Sequence, residues 1–216
     1  MNVKLQILVL FLLFVFDQLH AQSIDSGIWI DFSATRKIKS ASVSLDGELY
    51  TKDNSQKIDR NSIGLEGNYP VTSFLEVNAG YLLMNYTIKD YHEIRNRFFT
   101  AFEIEWHLSE FVFNHRERIQ LTRKPLPGAA MINDLYWRNR FRVDYKKPAW
   151  RVNPSATIEL FYSFGERGTK TIDELRYSLA AVYNLTQHQE IRVYGLWSDT
   201  VVRNLYVFGI EYEISI

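Results

Sequence analysis

From Arg95 to Arg123 the chain alternates with a period of two. Asn96, Phe98, Thr100, Phe102, Ile104, Trp106 and Leu108 share one parity, and Arg95, Arg97, Phe99, Ala101, Glu103, Glu105 and His107 share the other. This is the pattern of a strand with one apolar and one charged face. The pattern breaks at Ser109-Glu110 and restarts, with Phe111, Phe113, Ile119 and Leu121 opposed by Asn114, Arg116, Arg118, Gln120 and Thr122. Folded as a hairpin about the break, Glu103 faces Arg116 and has Arg118 on its diagonal, all on the charged face.

The same alternation recurs along the chain. Ile28, Ile30, Phe32 and Ala34 oppose Trp29, Asp31 and Ser33; Ala41 to Leu49, Arg60 to Tyr69 and Leu75 to Leu83 follow, then the hairpin, then Leu135 to Tyr145, Ala156 to Phe164, Leu175 to Leu185, Ile191 to Trp197 and Tyr206 to Ile216. All five prolines fall in the predicted turns, as a sheet requires, because proline cannot donate to the ladder. Eleven segments emerge. Single-chain bacterial barrels have even strand numbers, so the reading is ten full strands with Ile28 to Ala34 as a partial or edge strand, and twelve as the alternative.

Either face of such strands could be the buried one. A soluble sandwich, or a lipocalin-like ligand-binding barrel, buries the apolar parity; an outer-membrane barrel turns it to lipid and closes the charged parity inward. The N-terminus bears on the choice. Lys4, an apolar run from Leu5 to Phe16 and Leu19-His20-Ala21 form a secretory signal, too short to span a bilayer, with cleavage expected after Ala21. The aromatic residues decide it. Phe102, Trp106, Trp137, Tyr162, Tyr177, Tyr183, Tyr206, Phe208 and Tyr212 share the apolar parity, and so many amphipathic rings suit two membrane interfaces better than one small lumen. The expected fold is all-β: residues 1–21 a signal peptide and residues 22–216 a single antiparallel up-and-down transmembrane β-barrel of the bacterial outer membrane.

Composition narrows the chemistry. Twenty-five basic residues balance 25 acidic ones, so no net field points to nucleic acid, and the absence of cysteine removes disulfides, thiol nucleophiles and cysteine-based zinc sites. The constellation that remains is a ladder on the inward parity: Glu48, Glu66, Glu76, Glu103, Glu105, Arg116, Arg118, Arg138, Arg140, Arg142, Glu159, Arg176 and Arg192, continued by Glu211 and Glu213. The leading reading is an ion-pair plug that satisfies buried charge and holds register; the sharper one is a narrow pore in which Arg138, Arg140 and Arg142 select anions. His107, Ser163 and Ser178 share that parity, but no spacing joins them into a triad, and no histidine pair has metal-ligand spacing. No catalytic residue, metal or cofactor is therefore expected. The expected partners are outer-membrane lipid and, during biogenesis, the barrel-assembly machinery. An envelope enzyme on a barrel scaffold and a soluble periplasmic ligand-binding barrel stand as alternatives.

Leu45-Asp-Gly-Glu-Leu-Tyr50, Asn78-Ala-Gly-Tyr81, Arg116-Glu-Arg118, Arg138-Asn-Arg-Phe-Arg142, Glu159-Leu-Phe-Tyr162 and Leu175-Arg-Tyr177 set inward charges between outward aromatics across most of the chain beyond the signal. In these stretches the sequence resembles the domain-of-unknown-function 2490 family of bacterial outer-membrane proteins. The resemblance implies a barrel in the outer membrane and carries over no activity.

Overall fold

A computed structural model describes residues 24–216 apart from 90, 127, 128, 148, 149, 166–170 and 201–203. The expected signal peptide and its cleavage point lie outside the described residues. Eleven strands follow in order: β1 (Ile24–Ile38), β2 (Ala41–Lys52), β3 (Lys57–Pro70), β4 (Leu75–Ile88), β5 (Tyr91–Leu108), β6 (Phe111–Leu126), β7 (Ala129–Tyr145), β8 (Val152–Ser163), β9 (Thr171–Asn184), β10 (Gln189–Thr200) and β11 (Asn204–Ser215). No helix occurs among the described residues. Each strand pairs antiparallel with the next, and β1 closes the ring against β11.

Two expectations are corrected here. The strand number is eleven, neither ten nor twelve, and the barrel is not antiparallel throughout. The segment taken as a partial or edge strand is part of the full-length β1, paired with β2 on one side and β11 on the other. The two corrections have one cause. Consecutive hairpins reverse direction at every step, so an odd number of strands brings the first and last together running the same way. β1 and β11 accordingly pair in parallel from Ile24↔Asn204 to Thr35↔Ser215. Parallel ladders are slightly weaker per residue, and this one spans twelve register pairs without a bulge. The even-number rule made β1 surplus, and the alternation from Ile28 to Ala34 covers only about half of the strand's 15 residues.

The turns β1–β2 and β5–β6 use two residues each, and Lys39 and Ser109 adopt positive φ (56° and 54°). Such turns twist in the sense the flanking strands require. With β3–β4, β7–β8 and β9–β10 they define one rim, called the turn rim below; Ile216 donates its backbone N–H to Thr35 there at 2.8 Å. At the opposite rim, β6 and β7 continue pairing with each other past Arg123 and Tyr136, where β5 and β8 no longer pair with them.

Side-chain direction follows parity. Ile63, Leu65, Phe102 and Leu179 are exposed on the outside (56, 55, 54 and 70%), while Asn114, Glu159, Ser198 and Met84 are buried inside. Glycine makes room where rings cross the lumen wall. A Cβ on Gly209 would sit 2.0 Å from the Tyr194 ring, and one on Gly80 would sit 2.3 Å from the Phe99 ring.

Candidate functional site

The lumen is where this fold gathers its charge. The register pairs Glu103 with Arg116 and places Arg118 beside Arg138, and Arg140 beside Arg116. Contacts made by the side-chain tips reach farther than register. Glu103 accepts from Asn114 at 2.6 Å and pairs with Arg140 at 3.2 Å; Glu159 pairs with both Arg116 (3.1 Å) and Arg138 (2.9 Å). Arg118 crosses to Glu66 at 3.5 Å, linking β6 to β3. Glu48 holds Arg60 (3.0 Å) and accepts from Ser62; Arg142 pairs with Asp144, Arg176 with Glu174 and Arg192 with Glu211. Glu76 accepts from the Asn78 amide at 3.0 Å. Glu105 stands apart, exposed near the turn rim and facing His107 at 3.2 Å. Next to it, in the β5–β6 turn, the Ser109 hydroxyl donates to Glu110 and holds that carboxyl below its usual range.

Aromatic rings inside the barrel stiffen the ladder. Arg118 stacks on Phe99 at 3.9 Å, Arg138 and Arg176 on Phe161 at 4.3 Å each, Arg60 on Tyr50 at 4.2 Å and Arg95 on Tyr86 at 3.9 Å. A guanidinium held between a ring and a carboxylate has its plane and its fork fixed together. The rings Tyr50, Tyr86, Phe99 and Phe161, with Arg60, Arg95, Arg97, Asp31, Asp46 and Glu174, are absent from the sequence-derived ladder. Their inward parity was the signal that could have found them.

The ladder leaves a cavity of about 650 Å³, and a second of about 240 Å³ lies between it and the turn rim, with Arg142 and Arg192 lining both. Charge is segregated across the larger one. β5, β6 and β7 give its wall Arg95, Arg97, Arg116, Arg118, Lys124, Arg138, Arg140 and Arg142 against the single acid Asp134. On the far side of the ring, β11, β1 and β2 give Asp31, Asp46, Glu48 and Glu211 and, among the described residues, no base. A solute inside would meet a field directed across the barrel.

On the outside, Phe102, Trp106, Tyr177 and Phe208 are exposed, and Trp137, Tyr162, Tyr183, Tyr206 and Tyr212 half-exposed. They associate in groups: Trp106 stacks with Phe113, Trp137 meets Tyr162 edge-on, Tyr177 stacks on Trp197 and Phe32 on Tyr212. Between the Trp106 and Trp137 groups lies a polar patch that alternation did not foresee as a unit. Glu117 pairs with His115 at 3.0 Å and accepts from the Asn139 amide and the Trp137 indole.

His107, Ser163 and Ser178 are not brought together. His107 is near the turn rim, Ser163 ends β8 at the other rim, and Ser178 lies in mid-barrel. No three His, Cys, Asp or Glu side chains converge as a metal cage among the described residues.

A closed all-β barrel with an ion-paired interior and an apolar exterior is thus the class defined by fold and site. The chain belongs to the DUF2490 family of proteins of unknown function, whose sequence profile it matches over residues 26–202. No curated protein matches it. Among solved structures it is similar to the β domain of the Bordetella autotransporter BrkA, with a TM-score of 0.54 at 10% identity over 85% of this chain and 87% of that one. At that identity the likeness concerns the fold alone. No enzymatic activity attaches to the chain from either comparison.

Proposed function

We propose that the protein is a small outer-membrane barrel with an occluded lumen, serving a structural or docking role and not wide, unselective diffusion. One observation carries this reading: the barrel is inverted relative to a soluble protein. Its exterior presents Leu179, Ile63, Leu65 and Phe102 to the surroundings, and its interior buries Glu159 against Arg116 and Arg138. In water the exterior would be a continuous apolar surface far above what soluble proteins expose. In a bilayer it matches the apolar band and aromatic girdles of outer-membrane barrels. The similarity to an autotransporter β domain supports the same siting. Occlusion follows from the cross-lumen pair Arg118–Glu66 and from the arginines stacked on Phe99 and Phe161.

Lipid is then the exterior's partner, and the barrel-assembly machinery serves it during biogenesis. Cell fractionation with heat-modifiable gel migration tests the siting: recovery in outer membranes and a shift on boiling are expected, and recovery in a detergent-free periplasmic fraction would sink it. In planar bilayers a closed trace is expected. A second reading, a narrow anion-selective channel, draws on the basic wall of β5 to β7, and small voltage-dependent openings with anion selectivity would favour it over the plug.

A further inference from the structure

The three arginines that alternation singled out for anions are all engaged: Arg138 with Glu159, Arg140 with Glu103 and Arg142 with Asp144. Among the described residues, Arg97 is the inward guanidinium that lacks such a partner. Its Nε donates to Thr122 Oγ1 at 3.1 Å, and among the described residues no carboxylate oxygen lies within 4 Å of it and no acceptor meets its two terminal nitrogens. Its charged neighbours make this worse. Arg60 and Arg138 are both cations, and the nearby acid, Glu48, is already bound to Arg60 and Ser62. Arg97 lines the 650 Å³ cavity, a volume within the range of small-molecule sites.

A partly buried guanidinium with its fork open, flanked by two further cations, calls for an anion with paired oxygens. We propose that Arg97, with Thr122 and Arg138 beside it, forms a binding site inside the barrel for a small oxyanion, the carboxylate or phosphate group of a low-molecular-weight solute. Arg97 supplies the bidentate fork, oriented by the Thr122 hydroxyl through its Nε. Arg138, fixed by Gln120 and Glu159 and stacked on Phe161, adds positive potential without moving. The acids Asp31 and Asp46 on the opposite wall favour a solute that carries its cationic or hydroxyl groups at the other end.

The site deepens the reading of the lumen as an occluded interior, and its test is independent of conductance. Full-length protein folded in detergent is titrated calorimetrically with inorganic phosphate and, separately, with 4-aminobutyrate, whose ammonium group lies at the end away from its carboxylate. Saturable one-to-one binding of at least one probe is expected, and the tighter probe assigns the phosphoryl or the carboxyl class. Arg97→Gln should weaken binding at least tenfold, Thr122→Val several-fold, and Arg123→Gln, on the outer face of the same sheet, not at all. Folding of each variant is checked by its shift on boiling, and Arg97→Lys, which keeps the charge but loses the fork, replaces Arg97→Gln if the latter fails to fold; it too should bind more weakly. Absence of saturable binding of both probes, or Arg97 variants that bind like the parent, would overturn the proposal and leave the outer-membrane reading untouched.

Discussion

Glu103 on β5 faces Arg116 in the ladder, yet its carboxylate engages Arg140 on β7, reaching past the whole of β6 at 3.2 Å. Backbone register and side-chain partnership are therefore different maps of this lumen. Arg116 is released to reach the other way, to Glu159 on β8. From β5 to β8 the ion pairs form a braid in which β5 is tied to β7 and β6 to β8, past the strand to which each is hydrogen-bonded, while Arg138–Glu159 joins the adjacent β7 and β8.

Glu103→Gln tests that braid. The substitution keeps an acceptor oxygen at position 103 but removes the negative charge that compensates the Arg140 guanidinium, in an interior where neither side chain of the pair is more than about a quarter exposed. Breaking one side of a buried pair costs about 3 kcal/mol or more. Denaturant unfolding in lipid vesicles should show that loss, and Arg140→Met in the same background should restore part of it, since the uncompensated cation is then gone.

Glu159→Gln should be worse. Its carboxylate serves Arg116 and Arg138 together, and Arg176 adds a third positive charge nearby. Removing the single anion leaves several guanidinia facing one another, and a loss towards the upper end of the about 3–5 kcal/mol range for broken buried pairs is expected. The temperature at which the folded band converts on a gel should fall further than for Glu103→Gln. Adding Arg116→Gln should recover stability non-additively, because the two sites share one network.

Alternation made the strands legible because a period of two assigns a face to every residue once a turn is placed. It gave the β5–β6 hairpin, its Ser109-Glu110 turn and the Glu103–Arg116 register directly. It could not give the partnerships, since arginine and glutamate side chains span more than one inter-strand spacing and choose partners by the shape of the interior. Arg97 shows the limit. It has the same parity as Glu103, and what sets it apart, an unfilled fork, is a property of the space around it. The strand number was lost differently: β1 carries the same alternation as its neighbours, but an expectation about even-numbered barrels outweighed the pattern in the residues.

The parallel seam rests on a close fit that can be broken by one methyl group. Tyr194 lies over Gly209 and donates to Asp31 at 3.1 Å, connecting β10 to β1 across β11. A Cβ at position 209 would overlap that ring, so Gly209→Ala must displace it and lose the hydrogen bond. Overpacking of this kind costs about 1–3 kcal/mol. Gly195→Ala, on the next strand and with nothing within 4 Å of its Cβ, provides the control and should leave unfolding within about 0.5 kcal/mol of the parent. Equal effects of the two would mean that Tyr194 does not occupy the seam.

The patch of His115, Glu117, Asn139 and Trp137 sits on the face proposed for lipid, with His115 and Glu117 each about a third exposed (34 and 35%). Polar groups there are tolerable because each satisfies another: one carboxylate takes the amide, the indole and the imidazole. Such a closed set is vulnerable to partial removal and indifferent to complete removal, since an unmet donor in an apolar medium costs about 1–3 kcal/mol while an all-apolar replacement leaves none unmet. Glu117→Leu alone should therefore destabilise the barrel in vesicles by roughly that amount or more. Replacing the set together, with His115→Leu, Glu117→Leu, Asn139→Leu and Trp137→Phe, should return unfolding to the parent value or above it. If the full replacement is instead the least stable variant, this face is not lipid-covered, because only contact with another protein would reward keeping the charge.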